Sequence, residues 1–251
     1  MPRALLAVLM LFCGLSAARA AEVVIAVGRD LPPYVMVEDW RGLEYDIVRE
    51  SLALEGHTLK PKFMAFARLR KEMESGLVDA AMTMRSDSGV QAFYSNPHVA
   101  YHNVVLTLAS RDLTIARPSD LAGKSVLAFQ NAAHYLGPEF QTMSESNPAY
   151  REEARQGMQP LLLYLGRVDA VVSDRFIFGW FAHDSEVRER ADTGQVLRVH
   201  AIFPQTEYSV AFRDAALRDS FNRGLRKLRD SGGYSRIVER YSPYLKTEGG
   251  G

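Results

Sequence analysis

Gly76-Leu77-Val78-Asp79-Ala80-Ala81-Met82 decides the fold, because Gly166-Arg167-Val168-Asp169-Ala170-Val171-Val172 repeats its form later in the chain. In both places a helical pattern stops at a glycine and a β-prone run follows. Leu69 and Met73 mark the helix before Gly76, and residues 161–165 mark the one before Gly166. Helices alternating with strands of this length predict an α/β fold with a mainly parallel sheet. The shared Gly-x-Val-Asp-Ala in matching contexts predicts two similar lobes.

The flanking sequence extends the pattern. Val23-Val24-Ile25-Ala26-Val27 stops at Gly28 as a buried parallel strand does, and Pro32-Pro33 forces a loop. After Gly42, Ile47, Val48, Leu52 and Leu54 form a helical face ending at Gly56, and residues 59–66 are extended. Asp120-Leu121-Ala122-Gly123-Lys124 leads into a strand at 125–129. A strand at 208–212, an amphipathic helix at 215–229, Gly232-Gly233 and a helix at 234–241 follow, with 248–251 as a frayed tail.

The amino terminus has its own signature. Arg3, the apolar residues 4–15 and Ala18-Arg19-Ala20 form a cleavable signal peptide, residues 1–20. Cys13, the only cysteine, lies inside it, and the bulky Phe12 argues against lipid attachment there. The mature chain therefore has no thiol, which excludes disulfide and thiol chemistry. Its core must hold it, and 47% hydrophobic composition suffices for one large or two small cores. The 251-residue chain carries 30 basic and 30 acidic residues. Without Arg3 and Arg19 the balance is 28 to 30, a charge of −2 that gives no footprint for nucleic acid. No later apolar run has transmembrane length. A soluble monomer in the periplasm or outside the cell is expected.

Four stretches in order resemble the family 3 extracellular solute-binding proteins, best known as polar amino-acid receptors of ABC importers. They are Pro33-Tyr34 with Gly42-Leu43-Glu44-Tyr45-Asp46-Ile47; Asp79-Ala80-Ala81-Met82-Thr83 with Phe93-Tyr94-Ser95-Asn96-Pro97-His98; Asp120-Leu121-Ala122-Gly123-Lys124-Ser125-Val126; and residues 225–241 with Ser231-Gly232-Gly233-Tyr234 and Ile237. The resemblance implies a type II periplasmic-binding-protein fold, two hinged α/β lobes closing on a ligand in the cleft between them. Residues 21–110 and 205–251 would form lobe 1 and residues 111–204 lobe 2, with crossings near 108–111 and 203–208.

The same resemblance implies a ligand site. Tyr34 and Phe66 would supply an aromatic wall, and Thr83 a contact at the end of its strand. The family's carboxylate-binding arginine is missing at Ser88 or Gly89, so Arg85 would substitute for it, with Arg68 in reserve. Asp174 would pair with a ligand ammonium. His134 stands in the loop Gln130-Asn131-Ala132-Ala133-His134, where the family usually shows Gly-Thr-Thr. Ordinary packing for the aromatics and helix capping for Asp174 are the alternatives.

Catalytic signatures are missing. There is no Gly-x-Ser-x-Gly and no His-Glu-x-x-His, and Gly123-Lys124-Ser125 is preceded by Pro118 where a P-loop needs glycine. His98 and His102 follow Pro97 in a β-rich stretch unsuited to a helical metal pair, so neither metal nor cofactor is expected. The expected function is non-enzymatic capture of an amino acid or related solute for the membrane permease of an ABC importer. Two alternatives stay open. One is a periplasmic dehydratase on the same scaffold, with Glu44 or Asp174 as its general acid; the other is a sensing module for a membrane receptor.

Overall fold

The computed structural model describes residues 21–29, 31–242 and 247–248, so the signal-peptide reading of residues 1–20 falls outside the described residues. The chain runs β1 (Ala21–Gly28), α1 (Leu43–Ala53), β2 (His57–Met64), α2 (Phe66–Glu74), β3 (Ala80–Met84), β4 (Phe93–Tyr94), β5 (Val99–Tyr101) and β6 (Asn103–Leu108). It continues through β7 (Val126–Phe129), α3 (Ala132–Tyr135), α4 (Pro138–Ser146), β8 (Tyr150–Glu153), α5 (Met158–Tyr164) and β9 (Ala170–Asp174). Then come α6 (Arg175–Ala182), α7 (Ser185–Arg190), β10 (Leu197–His200), β11 (Thr206–Phe212), α8 (Ala215–Asp230) and α9 (Gly233–Tyr241).

Two sheets of one design result. The first has the order β2-β1-β3-β11-β4, with β5 also on β11; the second has the order β10-β6-β9-β7-β8. Each holds three parallel strands, β2-β1-β3 in one and β8-β7-β9 in the other, flanked by one antiparallel strand, β11 or β6. The repeated aspartates explain the likeness. Asp79 accepts the Val24 N–H at 2.8 Å, and Asp169 accepts the Ser125 N–H at 2.9 Å. Each satisfies the central-strand amide one residue before that strand's pairing with β3 or β9 begins, and β3 and β9 start one residue after the aspartate.

Residues 103–108 correct the expected division. The resemblance implies that they belong to the first lobe, but β6 pairs antiparallel with β9 and β10 in the second sheet. The chain therefore crosses at His102 rather than at 108–111, and it returns between His200 and Thr206. Val99 to Leu108 reads as one extended run. Its break is set by a distant partner, since the His102 N–H donates to Asp174 at 2.7 Å and the His102 carbonyl accepts the Arg175 N–H.

Both faces of each sheet are covered. Ile25, Ile47, Leu52, Phe212, Phe221 and Leu225 centre one core between the first sheet and α1, α8 and α9, and Ala26, Met64, Leu69 and Met73 pack α2 on the opposite face. Leu106, Leu127, Leu163 and Phe178 fill one side of the second sheet, and Phe140, Leu121 and Val172 the other. Ile177 of α6 packs into the first core, joining the two halves. Beyond α9, Thr247 bridges Leu197, the Glu248 N–H donates to the Leu197 carbonyl at 2.9 Å, and the Glu248 carboxylate pairs with Arg198. Among the described residues no helix is long and apolar enough to cross a membrane.

Candidate functional site

The site is assembled from the loop after β1. The N–H groups of Leu43, Glu44 and Tyr45 open α1 and have no partners within the helix; they donate instead to the carbonyls of Pro33 and Tyr34. Gly42 makes this approach possible. Its φ is +142°, and any Cβ there would collide with the Tyr34 carbonyl. Tyr34 and Glu44 are thereby fixed side by side at the carboxyl end of β3. The Tyr34 ring stacks on Tyr101 with centroids 4.0 Å apart, and Tyr101 lies 4.7 Å from Tyr208.

From this stack Tyr34 reaches the second sheet. Its hydroxyl donates to Asp174 Oδ1 at 3.1 Å. Asp174 ends β9 and caps α6, with Oδ1 accepting the N–H groups of Phe176 and Ile177 and Oδ2 that of His102. The carboxyl ends of β1 and β3 thus face the carboxyl end of β9. Asp174 is buried and committed to four protein donors. Burial raises its pKa to about 6, against those hydrogen bonds, which pull it down.

Glu44 has a parallel role in the first sheet. Between Ser209 and Ala211 the β3–β11 register slips, and Val210 exchanges hydrogen bonds with Ser95 instead of β3. This bulge leaves the Thr83 N–H without a strand partner, and Glu44 accepts it at 2.9 Å together with the Thr83 hydroxyl. Thr83 sits at φ +56°, a strained position for a β-branched residue. Strain of roughly 1–3 kcal/mol is offset by hydrogen bonds to a carboxylate of about 1.5–3 kcal/mol each. His98 Nε2 lies 2.9 Å from Glu44, and the Tyr101 hydroxyl fills its other oxygen. Both His98 and Glu44 are fully buried, and His98 Nδ1 has no partner. Nε2 is therefore the protonated nitrogen, since a proton on Nδ1 would be a buried donor without an acceptor.

The remaining expected contacts lie further out. Arg85 is exposed and holds Asp87 through two nitrogens, Nε at 2.9 Å. Phe66 opens α2, half-exposed, with its ring over Gly28. Arg68 pairs with Glu72 at 3.0 Å along α2, and His134 is exposed against Tyr135. Tyr34, Thr83 and Asp174 are brought together; Phe66, Arg68 and His134 are not joined to them by any hydrogen bond. Tyr208, unremarked in the sequence, is a half-buried wall. Its pKa is raised to about 12 by burial, and nearby Arg85 pulls it the other way. Its alternation with buried Ser209 and Val210 along β11 was the available signal. Tyr101 was hidden because its strand is only three residues long. Neither carboxyl nominated as a general acid reaches the surface, and His98 and His102 have separate partners. Among the described residues no cluster of three His, Cys, Asp or Glu side chains could hold a metal.

Two similar sheets, crossed twice by the chain and facing at their carboxyl ends, define a two-lobed α/β protein of the periplasmic-binding class. The chain belongs to the bacterial extracellular solute-binding proteins, family 3, whose model matches residues 23–244. Solved structures agree on the fold. A histidine kinase sensor domain with similarity to periplasmic binding proteins is 21% identical with TM-score 0.66, covering 91% of this chain and 99% of that one. The P235GK mutant of ArgBP from T. maritima is 22% identical with TM-score 0.62, covering 88% and 95%. The Streptococcus pneumoniae amino-acid ABC transporter substrate-binding protein AbpA, bound to L-arginine, is 18% identical with TM-score 0.61, covering 89% and 97%. No curated protein is matched by sequence.

Proposed function

We propose that this protein captures a small polar solute in the periplasm, between the carboxyl ends of its two sheets, and delivers it to the permease of an ABC importer. The observation that carries this reading is the Tyr34–Asp174 contact, which sets the strand ends of both sheets face to face. Open α/β sheets bind ligands at that edge. Arg85, Tyr208 and the Thr83 turn line the first wall; Asp174 supports the second by capping α6 and holding the His102 crossing.

A thermal-shift screen of amino acids, amines, organic acids and short peptides tests capture. A solute at about 100 times its Kd adds roughly 2.7 kcal/mol, or about 5–10 °C for a chain of this size. If no solute in the panel moves the midpoint, the reading fails. A sensing role has support of its own in the likeness to the histidine kinase sensor domain. Deleting the gene and measuring uptake of the identified solute separates the two. Lost uptake supports delivery, and intact uptake with a lost transcriptional response supports sensing.

A further inference from the structure

Tyr34 belongs to one lobe and Asp174 to the other, and each is fixed within its own. The Tyr34 N–H closes a turn on the Leu31 carbonyl, the Tyr34 carbonyl accepts the Glu44 and Tyr45 amides of α1, and the ring stacks on Tyr101. Asp174 ends β9, caps α6 and accepts the His102 amide. The 3.1 Å bond from the Tyr34 hydroxyl to Asp174 Oδ1 joins these two frames. Among the described residues no other side-chain hydrogen bond or ion pair links the bodies of the two lobes, outside the tail pair of Arg198 and Glu248. The contact beside it is apolar, with Phe176 and Ile177 of α6 packed against the first core.

This bond straddles the crossing. His102 gives its amide to Asp174 and accepts from Arg175, so it travels with the second lobe, whereas Tyr101 before it pairs with Thr206 in the first. On the return, Phe203 is buried in the second lobe's core and β11 starts at Thr206. Rotation of the lobes therefore falls on the link between Tyr101 and His102 and on residues 204–205. Asn103 stands directly opposite Asp174 on the neighbouring strand, which gives Asp174 an arm of about 5 Å from the crossing. A rigid-body rotation of about 15° on that arm moves it by about 1.3 Å. The 3.1 Å bond then lengthens beyond hydrogen-bond range.

Breaking it leaves the two partners unequal. Asp174 keeps three backbone donors, but the fully buried Tyr34 hydroxyl has no second partner among the described residues. A buried donor without an acceptor disfavours the open arrangement until water reaches it. We propose that the Tyr34 hydroxyl latches the two lobes: acting through Asp174, it favours the closed cleft as a positioning group and does not meet the solute. The latch rests on the solute-capture reading and adds its control. The closed population enters the affinity for every solute as one common factor, so the latch sets how tightly the cleft binds and leaves its choice of solute alone.

The test needs no solute, so a failed latch leaves solute capture standing. Residues 21–251 contain no cysteine. Spin labels at Ala67→Cys, at the start of α2, and His134→Cys, on α3, occupy exposed positions beyond the carboxyl ends of β2 and β7. Double electron–electron resonance then reads the populations of short and long separations. Tyr34→Phe keeps the ring and its stack, and is expected to raise the ratio of long to short separations about tenfold, the size set by a hydrogen bond to a charged group. Tyr45→Phe, beside Phe63 in the first lobe, should leave the ratio within about twofold, as a phenol that joins nothing across the cleft does. Asp174→Asn exchanges the charged acceptor for a neutral one and should shift the ratio the same way; on that background the Tyr34→Phe shift should shrink at least about threefold. A Tyr34→Phe rise under about threefold overturns the latch and assigns closure to the α6 packing. An equal rise in Tyr45→Phe overturns it too, as does a Tyr34→Phe shift of the same size on both backgrounds. Should Tyr34→Phe fail to fold, Asp174→Asn decides, and a ratio matching the parent's overturns the latch.

Discussion

In the first lobe Asp79 accepts the Val24 amide just before the β1–β3 pairing, and in the second Asp169 accepts the Ser125 amide just before the β7–β9 pairing. Five residues on, the lobes part. β9 ends in its own carboxylate, Asp174, which caps the following helix; β3 ends at Met84, just after a strained Thr83 whose carboxylate partner, Glu44, comes from α1. The amino ends of these strands are scaffold, solved once and used twice. At the carboxyl ends each lobe found a different way to satisfy its exposed backbone, and the chain crossing and the aromatic stack are tied to those two solutions.

The largest effect is expected where that difference is most concentrated. Asp174→Ala strands three backbone donors and the Tyr34 hydroxyl in a buried place, and urea denaturation should show a loss of about 3–5 kcal/mol from the missing cap and unsatisfied groups. Glu44→Ala should cost about 2–4 kcal/mol by the same reasoning. A loss under 1 kcal/mol for either would mean that its hydrogen bonds are not what holds that strand end.

The second expectation is a pH dependence contributed by Asp174. Asp174 is raised to about 6 by burial, whereas an unfolded aspartate titrates near 3.9. The folded state therefore holds the extra proton between those values. The Asp174 contribution is full below about pH 4 and is lost as pH rises through about 6, a decline on the order of 2–3 kcal/mol. Denaturation at pH 4, 5, 6 and 7 reads it as a falling difference between the parent and Asp174→Asn. A pH-independent difference would show that Asp174 is ionised throughout.

Smaller and nearly equal losses, about 1–2 kcal/mol each, are expected for Asp79→Ala and Asp169→Ala, since each frees one strand amide and Asp169 also the Ser125 hydroxyl. Unequal losses, differing by more than about 1 kcal/mol, would break the equivalence of the two units. Least of all should follow from Arg85→Ala or Arg175→Ala, under about 0.5 kcal/mol in the free protein, because exposed arginines contribute little to folding.

Much of the scaffold could be read before the structure because it depends on local signals. Gly56, Gly76 and Gly166 end their helices at φ +79°, +72° and +64°, the left-handed turn for which glycine is the default. The final helices were placed within one residue. β3 and β9 were expected two residues early, because Val78 and Val168 are β-prone but precede the aspartates that begin the pairing. What could not be read depends on distant partners. Val99 to Leu108 carries no mark of the sheet it joins, since both halves are equally apolar and His102 breaks them only through Asp174. In the same way the motif marks Tyr34 but not its neighbours, and the structure packs its ring between Tyr101 and Phe176. An aromatic in a motif announces that it packs, and only the fold says against what.

β10 closes the second sheet, and its outer row of backbone groups would otherwise face solvent. Thr247 and Glu248 lie along that row, bridged to Leu197 and fastened through Arg198. An open strand at a sheet's rim is a template for another molecule's strand. Thr247 and Glu248 cover that template at Leu197 with the chain's own backbone, so what reads in the sequence as a loose end closes part of an open rim.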